Sequence, residues 1–311
     1  MPTRQGSFRL FKLFGIEVFL HWSWFVIAII GLQLRKDYYS SLTWNVLEYL
    51  TLFAIVLTHE FGHALACRSV GGQANQIVLW PFGGVAYVSP PQRPGAVLWS
   101  IVAGPLVNVV LVPILTAVLW FAGSAGWRET IPNLYGYIET IWYINVFLLA
   151  FNIMPVYPLD GGKIVYALLW FVLGRARALM AATVIGFIGI AGLAGVVIWL
   201  FTASPQEAIW PAALWVFLLL NCFQGFRQAR EMLRITNAPR RGGYRCPQCK
   251  TPPPLGDFWT CGKCRQRFDL FAMPFACPHC GTQYGGAVCL DCGMASRLSD
   301  WAPLAPPPVI S

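Results

Sequence analysis

The chain has 311 residues, of which 57% are hydrophobic and only 11% are charged, and its formal net charge is +9. Because soluble globular proteins carry about 25% charged residues, this composition excludes a soluble protein and indicates a chain that mostly faces lipid. A positive charge can indicate nucleic-acid binding. In a membrane protein it is typical of Lys and Arg held on the cytoplasmic side, so we expect no nucleic-acid partner.

Six apolar segments reach or approach about 20 residues, the length that a membrane-spanning helix needs. They lie at residues 16–34, 46–67, 95–122, 139–158, 178–202 and 207–226. The basic N-terminus resembles a signal peptide, but Glu17 and His21 interrupt the apolar stretch and no small-residue cleavage site follows. We therefore interpret it as a retained first span. Pro105 and Pro113 predict a tilt or kink in the third segment.

Between the second and third spans, two β-prone runs flank a turn-forming sequence. The runs are QIVLW (76–80) and VAYV (85–88), and the turn is PFGG (81–84). This pattern predicts a small membrane-associated β-hairpin. Residues 163–174 predict a short helix before the fifth span. The predicted fold is an all-α polytopic membrane protein with about six transmembrane helices, this hairpin and a small C-terminal cysteine region.

The distribution of basic residues predicts the orientation. If the N-terminus is cytoplasmic, fourteen of the Lys and Arg up to Arg245 lie in cytoplasmic segments and three lie outside. Such a bias is typical of the positive-inside rule. We therefore expect both termini in the cytoplasm and a multi-pass protein, with a prokaryotic plasma membrane as the favoured location.

The second span contains the sequence AIVLTHEFGHALAC, residues 54–67. Ionisable groups at membrane depth are costly, which indicates a functional site. On a helix, His59 and His63 share one face and can hold one Zn²⁺, and Glu60 between them can act as general base toward water. Stray polar residues packed between helices are the alternative interpretation.

A catalytic zinc site usually has three protein ligands. The best candidate for the third is Asp160, in the sequence NIMPVYPLDGG at the end of the fourth span. The predicted topology places it at the same membrane depth as the two histidines. Pro155 and Pro158 break the helix there, and irregular backbone at membrane depth is tolerated only where protein buries it or a wet cavity adjoins it. The alternative is that Asp160 only caps a helix.

These motifs together resemble the site-2 protease family of intramembrane zinc metalloproteases. The resemblance covers about residues 8–225, and its motifs are GIEVFLHWSW, HEFGH (59–63), the hairpin glycines, AGPLVN (103–108) and NIMPVYPLDGG (152–162). It implies that His59, His63 and Asp160 bind zinc and that Glu60 activates water. It further implies that Asn108 is catalytic, steadying the transition state or contacting the substrate. From the residues alone, Asn108 is a polar side chain in an apolar span, and packing between helices explains it equally well. Substrate contacts are expected at Asn152, Gly83 and Gly84.

Eight cysteines near the C-terminus form four CxxC pairs, which is the spacing of metal sites. We expect two structural zinc ions in a double zinc-ribbon-like region, because disulfides conflict with a cytoplasmic location. The favoured grouping is consecutive, with a crossed order as the alternative. In the consecutive grouping one set is Cys246, Cys249, Cys261 and Cys264, and the other is Cys277, Cys280, Cys289 and Cys292.

The sequence predicts four regions and one leading function. The regions are a transmembrane protease domain (1–230), a basic linker (231–245), the cysteine region (246–295) and a disordered tail (296–311). The leading function is hydrolysis of peptide bonds within or near transmembrane helices of single-span membrane proteins, with one catalytic zinc ion. The alternatives are a non-catalytic membrane adaptor and a metal transporter. The expected partners are the membrane substrate, the lipid bilayer and a cytoplasmic protein at the cysteine region.

Overall fold

Helices make up most of the chain in the computed structural model, which describes residues 6–80, 83–205, 208–272 and 275–301. The chain divides into two compact units, residues 1–226 and 227–311. The described helices are α1 (Ser23–Leu34), α2 (Leu42–Ser69), α3 (Pro94–Ser124), α4 (Trp127–Thr130), α5 (Pro132–Ile153), α6 (Asp160–Leu173), α7 (Arg175–Ala203) and α8 (Ile209–Asn237).

Five of the described helices, α2, α3, α5, α7 and α8, are long and apolar enough to cross a membrane. A helix suits this role because it satisfies its backbone hydrogen bonds internally. These five correspond to five of the six predicted spans. The first predicted span, residues 16–34, is instead divided between a strand at Ile16–His21 and the 12-residue helix α1. The predicted short helix over 163–174 is present as α6.

The first unit also contains a four-stranded sheet rather than an isolated hairpin. Its strands are β1 (Ser7–Leu13), β2 (Ile16–His21), β3 (Gln73–Trp80) and β4 (Gly83–Ser89), in that spatial order. β3 and β4 form the predicted antiparallel hairpin, whose turn residues Pro81 and Phe82 lie outside the described residues. β2 pairs with β3 in parallel, so β3 has a partner on both edges. β4 is an edge strand of this sheet.

Prolines and glycines shape the region between α5 and α6. α5 ends at Ile153, and the segment 154–159 holds Pro155 and Pro158, neither of which can donate a backbone hydrogen bond. α6 then begins at Asp160. A Cβ at Gly161 would lie 2.2 Å from the carbonyl oxygen of Ile153, so only glycine permits this close approach. The predicted kink residues Pro105 and Pro113 both lie inside α3, which continues from residue 94 to 124.

The second unit is built around its cysteines. It contains β5 (Trp259–Thr260) paired with β6 (Arg267–Phe268), β7 (Gly286–Val288) paired with β8 (Ala295–Arg297), and a 3-10 helix at Leu298–Trp301. Its buried core consists of the cysteines and apolar side chains such as Trp259, Phe268 and Trp301. Residues 296–301 are therefore folded, unlike the disordered tail predicted to begin at 296, because Trp301 is buried and completes this core.

The predicted basic linker is also structured. Its first part, residues 231–237, belongs to α8. Arg240 pairs with Asp291, with an Nη1–Oδ2 distance of 2.7 Å, and Arg241 pairs with Asp269 at 2.7 Å. Both ion pairs are largely shielded from solvent, and both join this segment to the cysteine-containing part of the second unit.

Candidate metal centres

The two histidines of the HEFGH motif lie on one face of α2 and are both buried. Their Nε2 atoms are 3.1 Å apart. This arrangement follows from the helix itself, because residues four positions apart lie one above the other. Asp160 reaches the same point from the start of α6, with its Oδ2 atom 3.0 Å from His59 Nε2 and 3.1 Å from His63 Nε2. Three side chains from two helices therefore converge.

The hydrogen bonds at the far side of each imidazole ring determine where its proton lies. His59 Nδ1 lies 2.7 Å from Asn108 Oδ1, and His63 Nδ1 lies 2.9 Å from the carbonyl oxygen of Ser100. Both partners are acceptors, so each Nδ1 donates. In the neutral rings each Nε2 consequently presents a lone pair to the other and to the Asp160 carboxylate. Three mutually facing acceptors repel one another unless a cation lies between them.

The dimensions of this centre suit zinc. Zinc ligands at about 2.0–2.1 Å in a tetrahedral arrangement are separated from one another by about 3.4 Å, close to the observed 3.0–3.1 Å. Gly104 of α3 leaves the adjoining space open, since a Cβ there would lie 2.2 Å from His63 Nε2 and 2.8 Å from His59 Nε2. Two imidazoles and a carboxylate are also a ligand set found in catalytic zinc sites. The residues therefore fit the metal.

Glu60 lies beside this centre and is held by the sheet. It is buried, and one carboxyl oxygen lies within 4.8 Å of ring nitrogens of both histidines. Its Oε2 atom accepts a hydrogen bond from the Ala86 backbone N–H of β4 at 2.9 Å. Gly84 of the same strand packs directly against Glu60, because a Cβ there would lie 2.2 Å from Glu60 Cγ. β4 therefore fixes the orientation of the carboxylate.

Asn108 faces the metal centre but its side chain is fully engaged. Its Oδ1 atom accepts from His59, and its Nδ2 atom donates to Asn145 Oδ1 at 2.8 Å. Asn145 in turn donates to the Asn108 carbonyl oxygen at 3.1 Å, and both asparagines are fully buried. This geometry favours a role in orienting His59. The sequence analysis did not single out Asn145, for which the available signal was an amide in the middle of the span α5.

Of the three residues predicted to bind substrate, one contacts a residue of this centre. Gly84 contacts Glu60, as described above. Gly83 begins β4, one position earlier. Asn152 is half-buried in the last turn of α5. No contact in the structure assigns these three residues to a substrate, and their role stays a prediction.

The eight cysteines of the second unit form two sets of four, and the two sets are nested along the chain. One set is Cys246, Cys249, Cys289 and Cys292, and the other is Cys261, Cys264, Cys277 and Cys280. The favoured consecutive grouping was therefore wrong. The observed order is nested rather than crossed, because the first CxxC pair combines with the last and the two middle pairs combine with each other. The shortest Sγ–Sγ distances within the sets are 3.5–3.7 Å. Sulfur ligands of a tetrahedral zinc ion are expected to lie about 3.8 Å apart, so these distances suit zinc.

All four CxxC segments adopt the same backbone turn. In each, the first cysteine carbonyl accepts from the N–H four residues later, and that later residue has a positive φ; these residues are Lys250, Arg265, Gly281 and Gly293. The Tyr284 hydroxyl also donates to Cys261 Sγ at 3.0 Å. This bond and the backbone N–H groups of Lys263 and Cys264 lower the pKa of the Cys261 thiol to about 5. A low pKa favours the thiolate, which is the form that binds metal.

The nested arrangement predicts the outcome of paired substitutions. If both sets hold zinc, Cys246→Ser with Cys289→Ser removes two ligands from one set, and the chain should lose one zinc ion. Cys246→Ser with Cys261→Ser removes one ligand from each set, and both ions should become labile. Consecutive grouping predicts the reverse pattern. Zinc per chain, measured after a chelator challenge of the full-length protein, distinguishes the two arrangements.

Comparisons with known proteins place the chain among peptidases. The model of peptidase family M50 matches residues 48–135 and 128–196, which include His59, Glu60, His63 and Asp160. The chain is similar in structure to the site-2 protease from Methanocaldococcus jannaschii, with a TM-score of 0.50 and 27% identity, covering 71% of this chain and 95% of that one. The chain belongs to peptidase family M50, the family of the site-2 proteases.

Curated relatives share the same region. A zinc metalloprotease of Methanocaldococcus jannaschii is 34% identical over 184 residues, which cover 58% of this chain and 50% of the relative. A putative zinc metalloprotease of Synechocystis is 30% identical over 243 residues, covering 73% and 61%. Stage IV sporulation protein FB of Bacillus subtilis is 28% identical over 222 residues, covering 68% and 67%. The chain thus spans half the length of the first relative.

Proposed function

We propose that this protein is an intramembrane zinc metalloendopeptidase that hydrolyses peptide bonds within or near the transmembrane helices of membrane proteins. The observation that carries the proposal is the convergence of His59, His63 and Asp160, with Glu60 beside them, among helices long enough to cross a membrane. Membership of family M50 and similarity to named zinc metalloproteases support the same activity.

In this proposal the three converging side chains hold one Zn²⁺. When bound, the ion would polarise the scissile carbonyl and acidify a water molecule. Glu60 would take the proton from the attacking water, and its bond to Ala86 keeps the carboxylate oriented for that role. Asn108 would keep the imidazole of His59 in the tautomer that presents Nε2 to the ion. Burial of these groups excludes bulk water and strengthens their interactions.

We propose that the substrate pairs with β4. A transmembrane helix must unwind locally before its peptide bond can react, and an adjacent strand would satisfy the backbone groups that are released. β3 cannot serve, because β2 and β4 occupy both of its edges. Ala86 directs its N–H away from β3 and toward Glu60, and alternation along the strand places the N–H of Val88 on the same side, away from β3.

Replacing Val88 by proline tests this pairing. Val88→Pro removes one N–H from the open edge, whereas Val88→Ala shortens the side chain and keeps the N–H. We expect Val88→Pro to slow cleavage about 2- to 10-fold relative to Val88→Ala, the value of one hydrogen bond, with zinc content unchanged. Equal cleavage rates of the two variants in reconstituted membranes would exclude strand addition at this edge.

We also propose that the C-terminus is cytoplasmic, in a prokaryotic plasma membrane, and that the substrate spans the membrane once. A cytoplasmic N-terminus additionally requires α1 to cross the membrane as a sixth span, because five crossings place the two termini on opposite sides. The distribution of Lys and Arg supports the orientation.

The two four-cysteine sets would hold two structural zinc ions, since closed sites of this type stabilise small units that have little other core. We propose that the cysteine-containing unit docks a cytoplasmic protein, such as the soluble part of a substrate.

The activity is tested with Glu60→Gln. Glutamine keeps the size of the side chain and can accept from Ala86, but it cannot take a proton from water. We expect cleavage to fall about 10²- to 10⁴-fold while three zinc ions per chain are retained. Single-span substrates should accumulate uncut in membranes of cells that carry the variant, as measured by comparing membrane proteomes.

Glu139→Gln provides a matched control, because it makes the same change in α5 away from the metal centre. It should leave cleavage within about twofold of the wild type, as substitutions outside a site usually do. If wild-type protein holds three zinc ions but cleaves no membrane protein, the adaptor function is favoured instead.

A further inference from the structure

We propose that α7 and α8 position Asp160 through a glycine socket that holds the segment preceding it. The socket consists of Gly186 and Gly189 of α7 and Gly225 of α8, and it receives Val156 and Tyr157. The inference rests on the proposed metal-binding role of Asp160. α7 and α8 supply no metal ligand themselves, but they hold the third ligand, Asp160, in position.

The fit between the segment and the socket is close at every glycine. A Cβ at Gly189 would lie 2.5 Å from Val156 Cγ2, and a Cβ at Gly225 would lie 2.4 Å from Tyr157 Cε1. At Gly186 it would lie 3.0 Å from the backbone nitrogen of Tyr157. A methyl group at Gly189 or Gly225 therefore requires the side chain of Val156 or Tyr157 to shift, and a methyl group at Gly186 presses on the backbone of Tyr157.

Two glycines of α7 show that the fit is specific. Gly192 and Gly195 lie further along the same helix, in the same glycine-rich stretch of sequence. A Cβ at either position would meet no atom of the described residues within 4 Å. If these glycines served only to let helices pack closely, all four positions would be expected to have close neighbours. The contacts with Val156 and Tyr157 distinguish Gly186 and Gly189 from the other two.

The segment connects the socket rigidly to the metal ligand. Val156 is 2% exposed and packs with Ile190 of α7 and with Leu218 and Cys222 of α8. On its other side the segment lies against the start of α6, where a Cβ at Gly162 would lie 2.4 Å from the backbone nitrogen of Tyr157. A shift of Tyr157 must therefore displace the first turn of α6, which carries Asp160. Close-packed interiors transmit such shifts.

The test compares alanine substitutions in one helix. Gly189→Ala should weaken zinc binding at the His59–His63–Asp160 centre about 10- to 100-fold, the range typical of changes that misorient a ligand. Gly192→Ala and Gly195→Ala should change it less than about twofold. Affinity is measured by chelator competition on the folded, full-length protein in detergent. The two zinc ions of the cysteine sets serve as an internal reference.

A volume swap separates positioning from general destabilisation. Val156→Ala removes the Cγ2 atom with which the new methyl group of Gly189→Ala would collide. The double variant should therefore bind the third zinc ion at least fivefold more tightly than Gly189→Ala alone. Volume-conserving exchanges are the best tolerated changes in a core. If Gly189→Ala binds the third zinc ion as tightly as Gly192→Ala, or if adding Val156→Ala lowers the affinity further, the socket does not position Asp160.

The same measurements separate failure of this inference from failure of the proposed function. His59→Ala in otherwise wild-type protein should remove one of three zinc ions. If the wild type holds only the two ions of the cysteine sets, the proposed metal centre is wrong, and the socket with it. If the third ion is present and is indifferent to Gly189→Ala, only the socket is wrong.

Discussion

Gly104→Ala is expected to abolish zinc binding at the His59–His63–Asp160 centre and, with it, all proteolysis. The added methyl carbon would lie 2.2 Å from His63 Nε2 and 2.8 Å from His59 Nε2, so it would occupy the space on which the ligands converge. We expect the zinc content to fall from three ions per chain to two. Cleavage in reconstituted membranes should fall by at least 10³-fold, because metal activation of water is lost with the ion.

Two other glycines of α3 provide matched controls. At Gly95 and Gly123 a Cβ would approach no side chain closer than 3.9 Å among the described residues. Replacing glycine by alanine inside a helix favours the helix by about 1 kcal/mol, so Gly95→Ala and Gly123→Ala should fold at least as well as the wild type. Zinc content and cleavage should not change in either. If Gly104→Ala retains three zinc ions at wild-type affinity, the ion does not lie where the imidazoles converge.

The local part of the metal centre could be predicted from the sequence, and its support across helices could not. The spacing of His59 and His63 determines that they share a helix face, because helical periodicity is a local property. Asp160 could be suggested from membrane depth and from the helix break before it. The contacts of His59 with Asn108, and of Asn108 with Asn145, join residues 37 or more positions apart and depend on how three helices pack.

The four-stranded sheet could be predicted from the sequence only in part. The run IEVFLH at 16–21 is a short apolar stretch, and periodicity alone does not distinguish a buried strand from the start of a helix. Its structure is decided by parallel pairing with β3, about 60 residues later in the chain. β3 and β4 could be predicted, because a turn-forming sequence separates two β-prone runs. The sequence therefore indicated the hairpin but not the sheet that it completes.

For the cysteines, the sequence predicted the kind of metal site but not which CxxC pairs combine to form each site. Four CxxC pairs indicate two four-cysteine metal sites, because the spacing within each pair is local. Which pairs combine is decided by the fold of the intervening chain. Here the buried core of aromatic side chains, including Phe268, Phe271 and Trp301, brings the first pair to the last.

Asp160→Asn is expected to remove the catalytic zinc ion while leaving the fold intact. Asparagine has nearly the shape of aspartate, but it lacks the charge that makes a carboxylate a zinc ligand. The carboxylate oxygen Oδ2 lies 3.0 Å from His59 Nε2 and 3.1 Å from His63 Nε2, so no other acidic side chain is needed to complete three ligands. We expect zinc affinity at this centre to fall at least 10²-fold, and cleavage to fall with it.

The same variant decides between a ligand and a helix-capping residue. Asparagine caps helices as well as aspartate does, so a residue that only helps to begin α6 would tolerate the change with normal zinc content and activity. Asp37→Asn, an identical substitution at an exposed position before α2, controls for the loss of one negative charge. Thermal unfolding, zinc per chain and cleavage should be measured on all three proteins. If Asp160 binds the metal, only Asp160→Asn should lose zinc. Its helical unit should then unfold at the temperature of the wild type, apart from the stabilisation that the bound ion provides.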